Sequence, residues 1–192
     1  MSTKPRFRAF TTVALMCAAL ATTVVATGVS AGAATTPLAN LKITEANVSV
    51  KSKGATDFVA AKNGQALKQG DTIKTDNAGR AEIAYTDGSL TRMAGATVFT
   101  LSKLTNERGG RQTQGTLSVG ETWNRAAKVS ETGSFEVKAG GTTAAVEGTA
   151  FVATCTPKAN GKQEVTCTFT AVVDDIKVDS DTWAVTSVTN AS

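Results

Sequence analysis

Histidine is absent from the 192-residue chain, and with it go the Ser-His-Asp and Cys-His catalytic units and every His-ligated zinc or iron site. Proline is scarce at three residues, aromatic residues make up 5% and charged residues 19%. A chain this poor in charge and proline, yet 41% hydrophobic, reads as a folded, β-leaning domain rather than a disordered tail. A strongly basic balance is missing too. The formal charge is +4, but of the 20 basic residues Lys4, Arg6 and Arg8 lie in a segment expected to be removed. That leaves 17 basic against 16 acidic residues, so a nucleic-acid surface has little support. The length fits one domain, or one domain with an appendage.

What is present begins with an address. Met1 to Arg8 carries three positive charges and no acid, Phe10 to Val29 is uncharged, and Val29-Ser30-Ala31-Gly32-Ala33-Ala34 is a run of small residues. This is the order of a secretory signal peptide, expected over 1–31 with cleavage after Ala31 or Ala33. The alternative is an uncleaved anchor, which the run could span; its richness in Ala and Thr over Leu and Ile argues for cleavage. With no second hydrophobic span after residue 34, the expectation is a secreted or cell-envelope-associated, extracytoplasmic protein without a stable membrane span.

Export gives the cysteines a meaning. Cys17 falls in the signal, which leaves Cys155 and Cys167 as one disulfide in an oxidising compartment. Asn160-Gly161 between them is a hairpin turn signal. Placing the cysteines opposite one another sets Ala153 against Phe169 and Phe151 against Ala171, so the disulfide and the apolar faces agree on register. Two free buried thiols are the alternative. Two cysteines without histidine make only half a zinc site.

From residue 35 onward strand-like runs alternate with Gly and Asn/Asp turns about every ten residues. Residues 32–44 read as a leader. Ala46, Val48 and Val50 begin the first half-buried strand, and Phe58-Val59-Ala60 ends at Asn63-Gly64. Asp76-Asn77-Ala78-Gly79 breaks the chain, Ala81, Ile83 and Tyr85 alternate up to the tight turn Asp87-Gly88, and Asn106 to Gln114 reads as an exposed loop. Leu117, Val119, Trp123, Phe135, Val137 and Val146 are core candidates. The fold class is therefore all-β and antiparallel-dominated, a sandwich, roll or short β-helix-like stack.

Gly64-Gln65-Ala66-Leu67-Lys68-Gln69-Gly70-Asp71-Thr72-Ile73-Lys74-Thr75, the glycine turn at Gly79, the alternating strand and Asp87-Gly88-Ser89 together resemble the start of the FecR domain family. Gly115 to Trp123, Phe135-Glu136-Val137 and Val146-Glu147-Gly148-Thr149-Ala150-Phe151 are similar to its later elements. The resemblance covers residues 45–153, with 154–192 as a C-terminal hairpin and strands completing the domain. It implies an extracytoplasmic β domain. The sigma-factor-binding segment and transmembrane helix of the founding type have no counterpart here, so its signalling mechanism does not carry over. The motif residues Gly70, Asp71, Asp87, Gly88, Ser89, Gly148 and Thr149 also have local readings as turn formers.

Other clusters are weaker. Asp174, Asp175, Asp179 and Asp181 supply oxygen ligands but lack the glycine and final glutamate of a calcium loop. Glu121 and Glu136 could be a glycosidase pair, though nothing in the sequence fixes their spacing. Arg108, Arg111, Arg125 and Lys128 could form a basic patch or a solvated loop face. Trp123, Trp183 and Tyr85 could stack on a sugar, yet isolated aromatics in strands are usually core. The functional expectation is a non-enzymatic domain without cofactor or metal that binds a protein or cell-envelope component. A structural envelope or adhesion protein is the alternative, and a carboxylate-pair hydrolase the third.

Overall fold

The computed structural model describes residues 36–107, 110–127, 133–146, 148–158 and 164–172. Among them there is no helix, and thirteen strands form one hydrogen-bonded sheet. They are β1 (Ala39–Glu45), β2 (Val48–Lys51), β3 (Val59–Ala60), β4 (Gln65–Leu67), β5 (Thr72–Thr75), β6 (Arg80–Tyr85), β7 (Leu90–Met93), β8 (Val98–Glu107), β9 (Gly110–Arg125), β10 (Ser134–Ala139), β11 (Thr142–Val146), β12 (Ala150–Pro157) and β13 (Val165–Val172). Pairings are antiparallel except β9 with β10, which is parallel. The all-β, antiparallel-dominated expectation is met.

The sheet is folded on itself along a crease. One limb, A, runs β4-β1-β6-β7-β9-β12-β13, and the other, B, runs β3-β2-β5-β8-β9-β10-β11. Strand β9 belongs to both. Its residues up to Val119 pair with β8 or β10, and from Gly120 on they pair with β7 and β12. The chain crosses the same line at β1–β2, β5–β6 and β7–β8. Tight corners explain the backbone there: Asn47 (φ 68), Ala96 (φ 53) and Gly120 (φ 93) take left-handed conformations.

Hydrogen bonds continue through the crease. Asp76 N–H donates to Asn47 O at 3.1 Å, Ala96 N–H to Asp76 O at 2.7 Å and Ala94 N–H to Glu121 O at 3.0 Å. The buried Thr97 is the plug, its hydroxyl donating to Glu121 O at 3.2 Å and accepting from Glu121 N–H at 3.1 Å. Such close approach excludes side chains. A Cβ on Gly95 would lie 2.2 Å from Asn77 O, and one on Gly120 would lie 2.4 Å from Thr97 Oγ1. The Asp76-Asn77-Ala78-Gly79 break is thus a crossing between limbs, not a hairpin.

Alternation along each strand places one apolar face between the limbs. Leu41, Ile83, Met93 and Phe151 come from limb A, and Val50, Ile73, Phe99, Leu101, Leu117, Phe135 and Val137 from limb B. The Tyr85 and Phe135 rings meet edge-on across the gap, centroids 5.6 Å apart. Phe99 fills the space left open by Gly115, where a Cβ would stand 1.9 Å from its ring.

Several expectations are corrected. Ala46 is exposed between β1 and β2, and the core candidates Val119 and Val146 are only half-buried. Part of the 32–44 leader is β1, with Ala39 and Leu41 buried against β4 and β6. The described residues of the polar stretch Asn106 to Gln114 are not loop but the end of β8 and the start of β9, paired through Asn106 with Arg111 and Glu107 with Gly110. Ladder hydrogen bonds outweigh low β propensity there. The signal peptide, Asn160-Gly161 and the strand-like runs after Val173 lie outside the described residues. Cys155 and Cys167 are disulfide-bonded, in the register that sets Ala153 against Phe169 and Phe151 against Ala171.

Candidate functional site

The motif residues are held in backbone turns. Asp71 is buried where the chain enters β5, and its carboxylate accepts from Lys68 N–H at 2.9 Å and Lys53 N–H at 3.3 Å. Gly70 before it has φ 93. Asp87 accepts from Ser89 N–H at 2.8 Å and closes the β6–β7 turn, where Gly88 has φ 88. The buried Ser89 hydroxyl accepts from Ala127 N–H at 3.0 Å. Gly148 has φ 63, and Thr149 O accepts from Ala126 N–H at 3.0 Å.

Arg111 joins this group instead of a basic surface. It projects from β9 towards limb A, with Nη1 3.4 Å from Asp87 Oδ1 and Nη2 donating to Thr86 Oγ1. The pair ties the Asp87 turn to the β8–β9 hairpin. Arg125 stays exposed, donating to Gly88 O at 3.4 Å; Arg108 and Lys128 lie outside the described residues. Tyr85 is buried in a polar chain, its hydroxyl 3.3 Å from Thr91, which donates to Asn124 at 3.0 Å. Burial pushes the Tyr85 hydroxyl well above the usual phenol range, the Asp87 charge adds to this, and the Thr91 hydrogen bond opposes it.

The aromatic and carboxylate candidates separate. Trp123 is 8% exposed beneath the Arg92 guanidinium, 5.5 Å from the ring centroid; Trp183 lies outside the described residues. Glu136 accepts from Gln114 at 2.7 Å in limb B, whereas Glu121 accepts from Thr154 at 3.2 Å in limb A. Gln114 and Glu121 are seven residues apart on β9, a path of roughly 23 Å in extended chain. Glycosidase pairs need roughly 5–9.5 Å, so the fold does not bring these two together. The Asp174 to Asp181 group lies outside the described residues, and no cluster of three or more potential metal ligands occurs among the described ones.

The outer face of limb B carries a feature the sequence reading missed. Ser49, Lys74, Val98 and Val119 form one cross-strand row, and Lys51, Thr72, Thr100, Thr116 and Lys138 the next. Phe58, 37% exposed, and Val59, 61% exposed, are the large hydrophobic residues left exposed among those described. The Lys51 and Lys74 ammonium groups stand 5.1 and 5.7 Å from the Phe58 ring centroid. Beside them a concavity of about 510 Å³ is lined by Lys74, Thr75, Asp76, Asn77, Ala96, Val98 and Val119. A Phe-Val-Ala run in sequence reads as core; only the long-range pairing that leaves β3 at an edge exposes it.

A family model described as FecR protein matches residues 71–173. That is more than half of the chain, which belongs to this family. The match begins at the buried Asp71 and extends through the disulfide-closed β12–β13 pair. No curated protein and no solved structure shows significant similarity to the chain. Family membership points to a sensing or regulatory module that interacts with proteins in signalling. No helix among the described residues is long and apolar enough to cross a membrane.

Proposed function

We infer that the chain is an extracytoplasmic, non-enzymatic interaction module that binds a protein or cell-envelope component. One observation carries the reading: the motif acids and hydroxyl are committed to backbone amides. Asp71 holds the Lys53 and Lys68 amides, Asp87 the Ser89 amide and Ser89 the Ala127 amide. These groups build turns, so recognition falls to exposed faces. The export-like N-terminal pattern and the Cys155–Cys167 disulfide support an oxidising compartment.

Two measurements test this reading. An alkaline phosphatase fusion after residue 44 should be active, since that reporter needs export; an inactive fusion would count against the location. Chemical cross-linking of the purified domain in envelope extract should yield one dominant adduct. Absence of any adduct would favour a structural envelope role, and substrate turnover lost on replacing Glu121 or Glu136 would overturn the non-enzymatic reading.

A further inference from the structure

The outer face of limb B combines three features seldom found together on a solvated sheet. Phe58 and Val59 are exposed, two ammonium groups converge on the Phe58 ring, and next to Lys74 a concavity opens whose apolar side is the neighbouring Val98 and Val119 with Ala96 and whose polar side is Thr75, Asp76 and Asn77. We propose that this face binds an extended acidic peptide segment, one carboxylate lying against Lys51 and Lys74 and an apolar side chain two positions away entering the concavity. The proposal rests on the interaction-module reading and names its surface and partner class.

Charge supports an acidic partner. Residues 48–76 contain five lysines (51, 53, 62, 68 and 74) against Asp57, Asp71 and Asp76. Asp76 lines the concavity, its Oδ1 accepting from the Ala78 and Gly79 amides, and Glu136 on limb B accepts from Gln114. Asp71 is turned inward onto amides, and Asp57 accepts from Thr56. Lys103 and Lys138 add exposed cations to limb B. An arriving carboxylate would meet a local excess of positive charge, and part of its water would be displaced by the ring, which strengthens the attraction.

Spacing and polarity favour a peptide. Neighbouring strands are about 4.8 Å apart, and side chains two positions apart on an extended peptide are separated by about 7 Å. An acid at one position and an apolar residue two further on can therefore face Lys74 and the Val98–Val119 wall together. A simple polyanion would gain from the lysines but nothing from Phe58, Val98 or Val119. An interface with an apolar centre and charged rim is the general pattern for protein partners.

The probe is a fluorescein-labelled octapeptide, Asp-Asp-Leu-Ser-Asp-Asp-Leu-Ser, titrated with the domain and followed by fluorescence anisotropy. Saturable binding is expected, weakened at least tenfold by Phe58→Ser, by Lys51→Glu with Lys74→Glu, and by replacing both leucines of the probe with serine. Circular dichroism of these surface variants should match the parent. Failure of the octapeptide to bind, affinity unchanged in the variants, or equal affinity for the leucine-free peptide and for sodium polyphosphate would each overturn the proposal. Where cross-linking finds a partner and the octapeptide does not bind, the module reading stands and this assignment falls.

Discussion

The crease and the β12–β13 ribbon hold the same sheet together by opposite means. At the crease four backbone crossings lie in contact, with Thr97 as plug and with Gly95 and Gly120 present because any Cβ would strike a neighbour. The ribbon has ordinary antiparallel geometry and is closed by a disulfide across a sequence separation of 12. Its inward row, Val165, Cys167 and Phe169, is only half-buried. Close packing does at the crease what a covalent bond does at the ribbon: where little apolar surface can be buried, a cross-link offsets the deficit.

The comparison breaks if Gly120→Ala is tolerated. That substitution combines positive-φ strain with overlap on Thr97, each costing about 1–3 kcal/mol, so a loss of about 3–5 kcal/mol is expected in urea denaturation. Replacing Cys155 and Cys167 with serine should cost less, about 2–4 kcal/mol, and should bring the reduced parent and the variant to the same midpoint. Asp71→Ala frees two amides near β5 and should cost about 2 kcal/mol. A smaller loss than that of the cysteine variant would show that the ribbon depends more on its bond than the motif turn does on its acid.

Tyr85 sharpens the comparison from inside, because it is the single tyrosine in the chain. Its folded-state pKa lies above the unfolded value of about 10. The neutral form is thus favoured by folding, and its contribution is fully present below pH 10. Stability then falls as pH rises beyond that, by about 1.4 kcal/mol for the first full unit. Denaturation at pH 9 and pH 11 should show this loss in the parent and not in Tyr85→Phe. Phenolate absorbance should stay suppressed until unfolding.

Local patterns made the ribbon legible and left the crease hidden. Alternation in the two runs that flank the Asn-Gly signal pointed to the register of Cys155 with Cys167, because the interacting residues are close in sequence and the period is two. The bond from Asp71 to the Lys68 amide, three residues away, was legible as a turn for the same reason, whereas the one to Lys53, 18 residues away, was not. At the crease Gly79, Gly95 and Gly120 are required by Asn47, Asn77 and Thr97, residues 18 to 32 positions away, so each reads only as a turn. Strand β1 was missed although Ala39, Leu41 and Ile43 alternate, since a leader was expected there. Arg111 read as surface because its partner Asp87 lies across the gap between limbs. The Phe58 face was invisible for the converse reason: an apolar run signals burial, and only the strand order places it at an edge.

The smallest stability effect is expected where the binding effect is proposed to be largest. Phe58 lies outside the buried cluster, and the Lys51 and Lys74 ammonium groups stand over its ring. Exposed substitutions away from caps and special backbone positions change stability by no more than about 0.5 kcal/mol. An exposed cation–π contact contributes on the order of 0.5–1 kcal/mol, and serine restores solvation to both lysines, so the net change for Phe58→Ser should fall near the lower figure. A thermal melt of this variant within about 2–4 °C of the parent would separate the outer face from the crease as a surface free to serve recognition. A loss as large as that of Gly120→Ala would instead make Phe58 part of the structural framework, placing limb B's outer face under the same packing constraint as its inner one.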